Sequence, residues 1–236
     1  MTIGRAARHV TMVGLAMVLA ATPTPAQRLV EVGPPTVLVG LTLTPAQPVG
    51  EFADYVDFGF GVAGHGSWFP HAGPLGLRLD LGVIVYGRET RRFQLVPLID
   101  VDVTTSNDIF SLFLGPEVRV GRGAVQPYAA GQVGFSYFST ESHVEGSDNN
   151  LPFANTTNFD DVTLAASGVG GLLIRLRRGH RPIFLDLGAR YIANGEAEYL
   201  REGSITIVNN QVFYQPIRSA TNLVVYHVGV SFGIGN

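Results

Sequence analysis

The chain has 236 residues, 46% hydrophobic and only 15% charged, against about 25% charged in ordinary soluble domains; this excludes a disordered chain and argues against a soluble enzyme. A net charge of −3 leaves no basic field for nucleic acid. The absence of cysteine excludes disulfide scaffolds, thiol catalysis, cysteine-zinc sites and a lipidated N-terminal cysteine, and all 16 basic residues are arginine.

Arg5, Arg8 and His9 precede an apolar run over 10–21 that only Thr11 interrupts, and Thr24-Pro25-Ala26 supplies small residues after it. A basic start, a short apolar stretch and a small-residue exit predict a secretory signal peptide over 1–26. The run is too short for a membrane-spanning helix, which needs about 20 apolar residues. Residues 27–35 then form a short lead, and 36–236 a single domain.

From there the hydrophobic period is two, the period of a strand. Segment 36–44 carries Val37, Val39, Leu41 and Leu43 on one face. Segment 56–69 carries Val56, Phe58, Phe60, Val62 and Trp68. In 75–87, Leu75, Leu77, Leu79, Leu81, Val83 and Val85 oppose Gly76, Arg78, Asp80, Gly82, Ile84 and Tyr86. Segment 97–120 reads as one long strand whose polar stretch Thr104-Thr105-Ser106-Asn107-Asp108 projects beyond a bilayer, with a bulge near it; splitting it would give nine strands and put the termini on opposite sides. In 125–138, Val125, Ala129, Val133, Phe135 and Tyr137 oppose Gln126, Gln132 and Ser136. The pattern continues in 162–176 (Leu164, Ala166, Leu172, Ile174, Leu176), 182–195 (Ile183, Leu185, Leu187, Ala189, Tyr191) and 221–234 (Val224, Tyr226, Val228, Val230, Phe232, Ile234). Short breaks at 70–74, 121–124 and 177–181 alternate with long polar breaks at 45–55, 88–96, 139–161 and 196–220. Within the last, Ser204 to Val208 and Gln211 to Tyr214 flank Asn209-Asn210, a hairpin signal.

The face opposite the apolar row holds glycine, alanine, serine and charges, too little apolar bulk for a core. The apolar row therefore looks outward into lipid, the arrangement of an outer-membrane barrel with tight periplasmic turns and longer outer loops. Together with the Gly50-Glu51-Phe52 segment within 45–57, Val125-Gln126-Pro127-Tyr128 and the final Val228-Gly229-Val230-Ser231-Phe232, this pattern resembles the small bacterial outer-membrane β-barrel proteins of the OmpA/OmpX type. The resemblance spans about residues 36–234. It implies an all-β, eight-stranded antiparallel up-and-down transmembrane barrel, secreted through the inner membrane and inserted by the outer-membrane assembly machinery, with outer-membrane lipid and lipopolysaccharide as its surroundings. The chain departs from the type in ending on Asn236 rather than an aromatic residue.

Eight strands enclose an interior that side chains fill. The expected luminal polar network is Arg78, Asp80, Glu117, Arg119, Arg175, Asp186, Arg190 and His227, paired into a plug because enclosed charges need partners. The expected interface aromatics are Trp68, Phe69, Tyr86, Tyr137 and Phe138, at strand ends where a headgroup girdle forms. No catalytic, cofactor or metal residues are expected. Asp80 and Glu117 lie too close to arginines to serve as a glycosidase pair. Ser142-His143 falls in a loop. The letters Gly59-Phe60-Gly61-Val62-Ala63-Gly64 match a dinucleotide fingerprint but lie inside a strand with no helix after it. The function expected is that of a non-catalytic, monomeric envelope barrel with a structural or surface-interaction role. A narrow low-conductance pore and a soluble lipocalin-like binding barrel are the alternatives.

Overall fold

Closing a sheet on itself sorts alternating side chains into an inner and an outer set. The computed structural model describes residues 35–70, 73–96, 99–146, 149–200, 204–208 and 211–235; the segment 1–26 read as a signal, and the lead up to 34, lie outside them. In chain order the strands are β1 (Val37–Pro48), β2 (Gly59–Trp68), β3 (Leu75–Val96), β4 (Ile99–Arg119), β5 (Val125–Gly146), β6 (Asn149–Arg177), β7 (Ile183–Asn194), β8 (Glu196–Tyr199), β9 (Ile205–Val208), β10 (Gln211–Tyr214), β11 (Ile217–Ala220) and β12 (Leu223–Ile234), with a 3-10 turn at Gly50–Asp54. Eight of them form a closed antiparallel barrel in the order β1-β12-β7-β6-β5-β4-β3-β2. Because β1 pairs with both β2 and β12, the barrel wall has no free edge and its backbone polar groups are satisfied within it.

The sidedness is that of a barrel turned outward. Leu77, Leu79 and Leu81 are 45%, 42% and 48% exposed, while Arg78 and Asp80 between them are 3% and 2% exposed. The outward rows of the other barrel strands include Leu41, Val62, Leu114, Val133, Leu164, Tyr191 and Phe232, all exposed. Val56, expected in the outward row of β2, is instead buried; it precedes the strand and packs with the 3-10 turn.

Two hairpins outgrow their expected bounds. Segments 88–96 and 139–161, read as outer loops, are mostly strand: β3 and β4 stay paired to Val96 and Ile99, and β5 and β6 to Gly146 and Asn149. β4 and β5 are paired as far as Val101 and Gly146, so β3 to β6 continue past the barrel rim as one four-stranded sheet. A sheet beyond the bilayer needs no apolar row, so its hydrophobic alternation fades while its backbone ladder persists. Segment 97–120 is one strand, and the irregularity sits opposite its polar stretch: Val85 pairs with Asp108 and Gly87 with Asn107, leaving Tyr86 as a bulge in β3. Likewise β1 runs on to Pro48 before the 3-10 turn. The last long connection folds into two small ladders, β8 with β11 and β9 with β10; Asn209-Asn210 lies outside the described residues.

At the other end the connections are tight. Gly121 and Gly179 adopt positive φ of 83° and 117° in the two turns after β4 and β6, a backbone region that favours glycine.

Candidate functional site

The inward side chains stack in three layers. At the long-hairpin end the layer is apolar and aromatic. The 3-10 turn drops Phe52 into the barrel, fully buried, where its ring meets Tyr86, Phe138 and Tyr199 at centroid separations of 5.7, 6.3 and 5.0 Å, edge to face. Ile84, Ile109, Phe113, Ile192 and Val225 line the wall around them. The Tyr86 hydroxyl donates to the Leu200 carbonyl at 3.2 Å, which ties the last long connection to this cap.

Below it lies a belt of charge. Arg78 grips Asp80 two residues along the same face of β3, with Nε and Nη2 donating to the two carboxylate oxygens at 2.8 and 3.0 Å. Arg190 Nη2 reaches the same carboxylate at 2.5 Å. Since β7 stands opposite β3 in the ring of eight, this bond spans the lumen. Arg78 Nη1 also lies 3.6 Å from Glu117, which accepts from Ser67 Oγ at 2.5 Å. Gln132 donates to Asp80 at 2.7 Å. A second knot surrounds Asp186: Tyr128 donates to its Oδ1 at 2.7 Å and Ser231 to its Oδ2 at 3.2 Å. With the Tyr128 proton committed there, His227 Nε2, 2.7 Å from the Tyr128 oxygen, is the donor in that contact. By the same logic His65 Nε2 donates to Ser231 Oγ at 3.3 Å.

These imidazoles fit because the wall opposite them is glycine. A Cβ on Gly40 would collide with the His65 ring and stand 2.6 Å from Ser231 Oγ, and one on Gly188 would stand 2.5 Å from His227 Cε1. Gly40→Ala is therefore expected to destabilise the barrel by about 1–3 kcal/mol, the usual cost of overpacking; urea unfolding in detergent micelles measures it, and an unchanged midpoint would refute this packing account.

The third layer, at the short-turn end, joins Leu38, Tyr128, Ala130, Val169, Leu173 and Phe184. Here Arg119 lies 4.0 Å above the Phe69 ring and donates to the Pro35 carbonyl at 3.2 Å. Arg175 donates to the Arg122 carbonyl at 2.9 Å and sits 5.8 Å from the Phe184 ring.

Of the eight residues expected in the lumen, the structure gathers Arg78, Asp80, Glu117 and Arg190 into one knot and Asp186 with His227 into another. Arg119 and Arg175 stand apart at the short-turn mouth. The expected aromatic girdle is corrected. Trp68 is 56% exposed and Tyr137 half-buried, but Phe69, Tyr86 and Phe138 are buried inside. Adjacent strand residues point to opposite faces, so neither Trp68-Phe69 nor Tyr137-Phe138 can place both rings in a girdle, and the bulge at Tyr86 accompanies an inward ring. His65, Tyr128 and Ser231 were missed as members of the network. Their inward parity was readable from the alternation, but a lone histidine and a tyrosine carry no motif.

The arrangement favours structure over chemistry. Ser231, His65 and Asp186 meet, but serine and carboxylate both face the same histidine nitrogen, Nε2, whereas a relay needs the acid on the other one. Asp80 and Glu117 are shut in and bound by arginine. Ser142 shares a 2.8 Å hydrogen bond with Thr105; the His143 side chain lies outside the described residues. Between belt and cap, Thr42, Thr44, Arg78, Asp80, Arg190 and His227 border a cavity of about 30 Å³, on the order of two water molecules. An open cleft at the long-hairpin end is lined by Asp160, Asp161, Glu196, Glu198 and Arg218. Its charges are partly engaged locally, with Asp161 accepting the Glu198 amide at 2.7 Å and Arg218 paired to Glu196 at 3.1 Å.

No known protein-family model matches the chain, and no curated protein matches it. Among solved structures it is similar to the Neisserial surface protein A, at 13% identity over 86% of this chain and 99% of that one, with a TM-score of 0.48. It is also similar to Ail, the attachment invasion locus protein of Yersinia pestis, solved with the heparin analogue sucrose octasulfate (10% identity, 85% and 97% covered, TM-score 0.41). A third similar structure is the N-terminal β-barrel domain of Pseudomonas aeruginosa OprF (11% identity, 84% and 98% covered, TM-score 0.35).

Proposed function

We propose that this chain is an integral outer-membrane barrel without catalytic activity, which braces the envelope and holds a stiff four-stranded sheet out from its surface. The observation that carries the reading is the inversion of sides: a continuous apolar exterior around a lumen filled with paired charges and capped by aromatic rings. A soluble lipocalin-like barrel would need the opposite, a polar exterior around an apolar pocket. The pore reading is weaker for a related reason. Phe52, Tyr86, Phe138 and Tyr199 close one end, and the Arg190–Asp80 bond crosses the middle. The paired β3 to β6 extension supports a role in surface contact, because it raises backbone-ordered chain well beyond the apolar belt.

The test is biochemical. The protein is expected to fractionate with outer membranes, to resist extraction by salt, and to migrate differently on gels before and after heating. Planar bilayers holding it are expected to show no discrete conductance steps. Release by salt alone would sink the membrane reading; regular steps that change with Arg78→Ala would replace the sealed barrel with a pore.

A further inference from the structure

The two ends of the molecule carry opposite charge. Among the described residues, the connections and strand ends on the long-hairpin side hold thirteen carboxylates against four arginines. Among the same described residues, the short-turn side holds six arginines, Arg119, Arg122, Arg175, Arg177, Arg178 and Arg181, against one acid, Glu117, bound inside by Ser67. Four of these arginines, Arg122, Arg177, Arg178 and Arg181, are exposed.

Their placement is specific. All four lie in or beside the turns after β4 and β6, which touch: the Arg175 amide donates to the Ala124 carbonyl at 2.7 Å, and the Arg175 guanidinium to the Arg122 carbonyl. In barrel order these turns belong to the contiguous sector β4-β5-β6-β7. The remaining short connection, between β2 and β3, has no arginine. The outermost lipid-facing residues of the sector are Val120, Val125 and Leu176, 59%, 50% and 62% exposed. Arg122 follows Val120 by two positions and Arg177 follows Leu176 directly. At about 3.3 Å per residue along a strand, Arg122, Arg177 and Arg178 follow the end of the apolar row by no more than about two residues, which in the membrane setting proposed above is the step from hydrocarbon to phosphate. Arginine's planar fork suits a phosphate's oxygens and can engage them bidentately.

We infer that this sector of the short-turn rim binds the headgroups of anionic phospholipids in the adjoining leaflet through Arg122, Arg177, Arg178 and Arg181. The inference rests on the membrane reading above. A lipid partner is favoured over a soluble polyanion because Arg122, Arg177 and Arg178 lie within two positions of Val120 and Leu176, the last residues of the exposed apolar rows, so one molecule can satisfy the acyl-facing row and the charge together.

The test uses the full-length barrel in mixed micelles with equal phosphatidylglycerol and phosphatidylcholine, the retained lipid being counted by native mass spectrometry. Each arginine near a charged surface contributes enough for about a fivefold change in occupancy. The expected result is at least about fivefold retention of phosphatidylglycerol over phosphatidylcholine, falling to near parity in R122Q/R177Q/R178Q/R181Q and unchanged in R88Q/R218Q at the other end. Added salt should weaken the preference. No preference in the parent protein, or a preference that survives the fourfold change, overturns the inference. The heat-dependent gel shift is read on every sample. A folded, shifted barrel without lipid preference defeats only this inference, whereas absence of the shift in all lipids defeats the membrane reading and this with it.

Discussion

Replacing Arg78 by alanine is expected to cost the folded barrel about 3–5 kcal/mol, the typical price of breaking a buried ion pair from one side. Arg78 neutralises Asp80 through two hydrogen bonds and stands within ion-pair distance of Glu117. Its loss leaves Glu117 with the Ser67 hydrogen bond and the more distant charge of Arg119, and leaves Asp80 to Arg190 and Gln132. Both carboxylates are nearly inaccessible, so only the few waters that the adjoining cavity beside Arg78 and Asp80 can hold are at hand to replace the guanidinium. Urea unfolding of the refolded protein, followed by its heat-dependent gel migration, measures the loss. The double change R78M/E117Q should recover part of it, since it neutralises the carboxylate left without its guanidinium while the Asp80–Arg190 pair stays in place. A loss below about 1 kcal/mol, as for a surface pair, would mean that the belt is wet.

Arginine at Leu81 is expected to cost about 2–4 kcal/mol, the penalty for a cation on the lipid face near the bilayer midplane, against about 0–1 kcal/mol for Leu176→Arg at the rim. Both residues are well exposed on the protein alone, at 48% and 62%. In a water-soluble barrel either change would fall within about 0.5 kcal/mol of neutral. The depth dependence is therefore the diagnostic quantity, because no account based on water at both positions produces it. Matched urea titrations of the two variants in phospholipid vesicles provide the measurement, and equal small effects would falsify the lipid-facing assignment.

Legibility from sequence followed the solvent. Where a strand has lipid on one side and a crowded lumen on the other, alternation is strong, and the row from Leu75 to Val85 shows both faces unaided. Beyond the rim, Thr90, Thr104 and Ser139 lie in strands whose pattern no longer requires oil on one face, so hydrogen-bonded strand reads as polar loop. Inside, Arg78, Asp80 and Arg190 were visible because a charge on an inward position demands a partner. Which partner it takes was not, because that depends on the ring order that sets β7 opposite β3. His65 joined the network through the space left by Gly40 and Tyr128 through that left by Gly171, its cross-strand partner, a complementarity that only the closed barrel brings together. Phe52 is the hardest of these residues to foresee: it sits in a connection that reads as polar, and nothing local shows that a 3-10 turn folds it inward as the anchor of the cap.

On the proposed reading the aromatic cap and the charged belt are two separate barriers to passage, one of packed rings and the other of bonded side chains across the bore. In the proposed setting, a cell can then crowd its surface with this protein without leaking solutes in proportion to copy number. Loss of either barrier alone leaves the other in place, so permeability defects should demand damage at both levels, while mutations confined to one level register as altered folding yield.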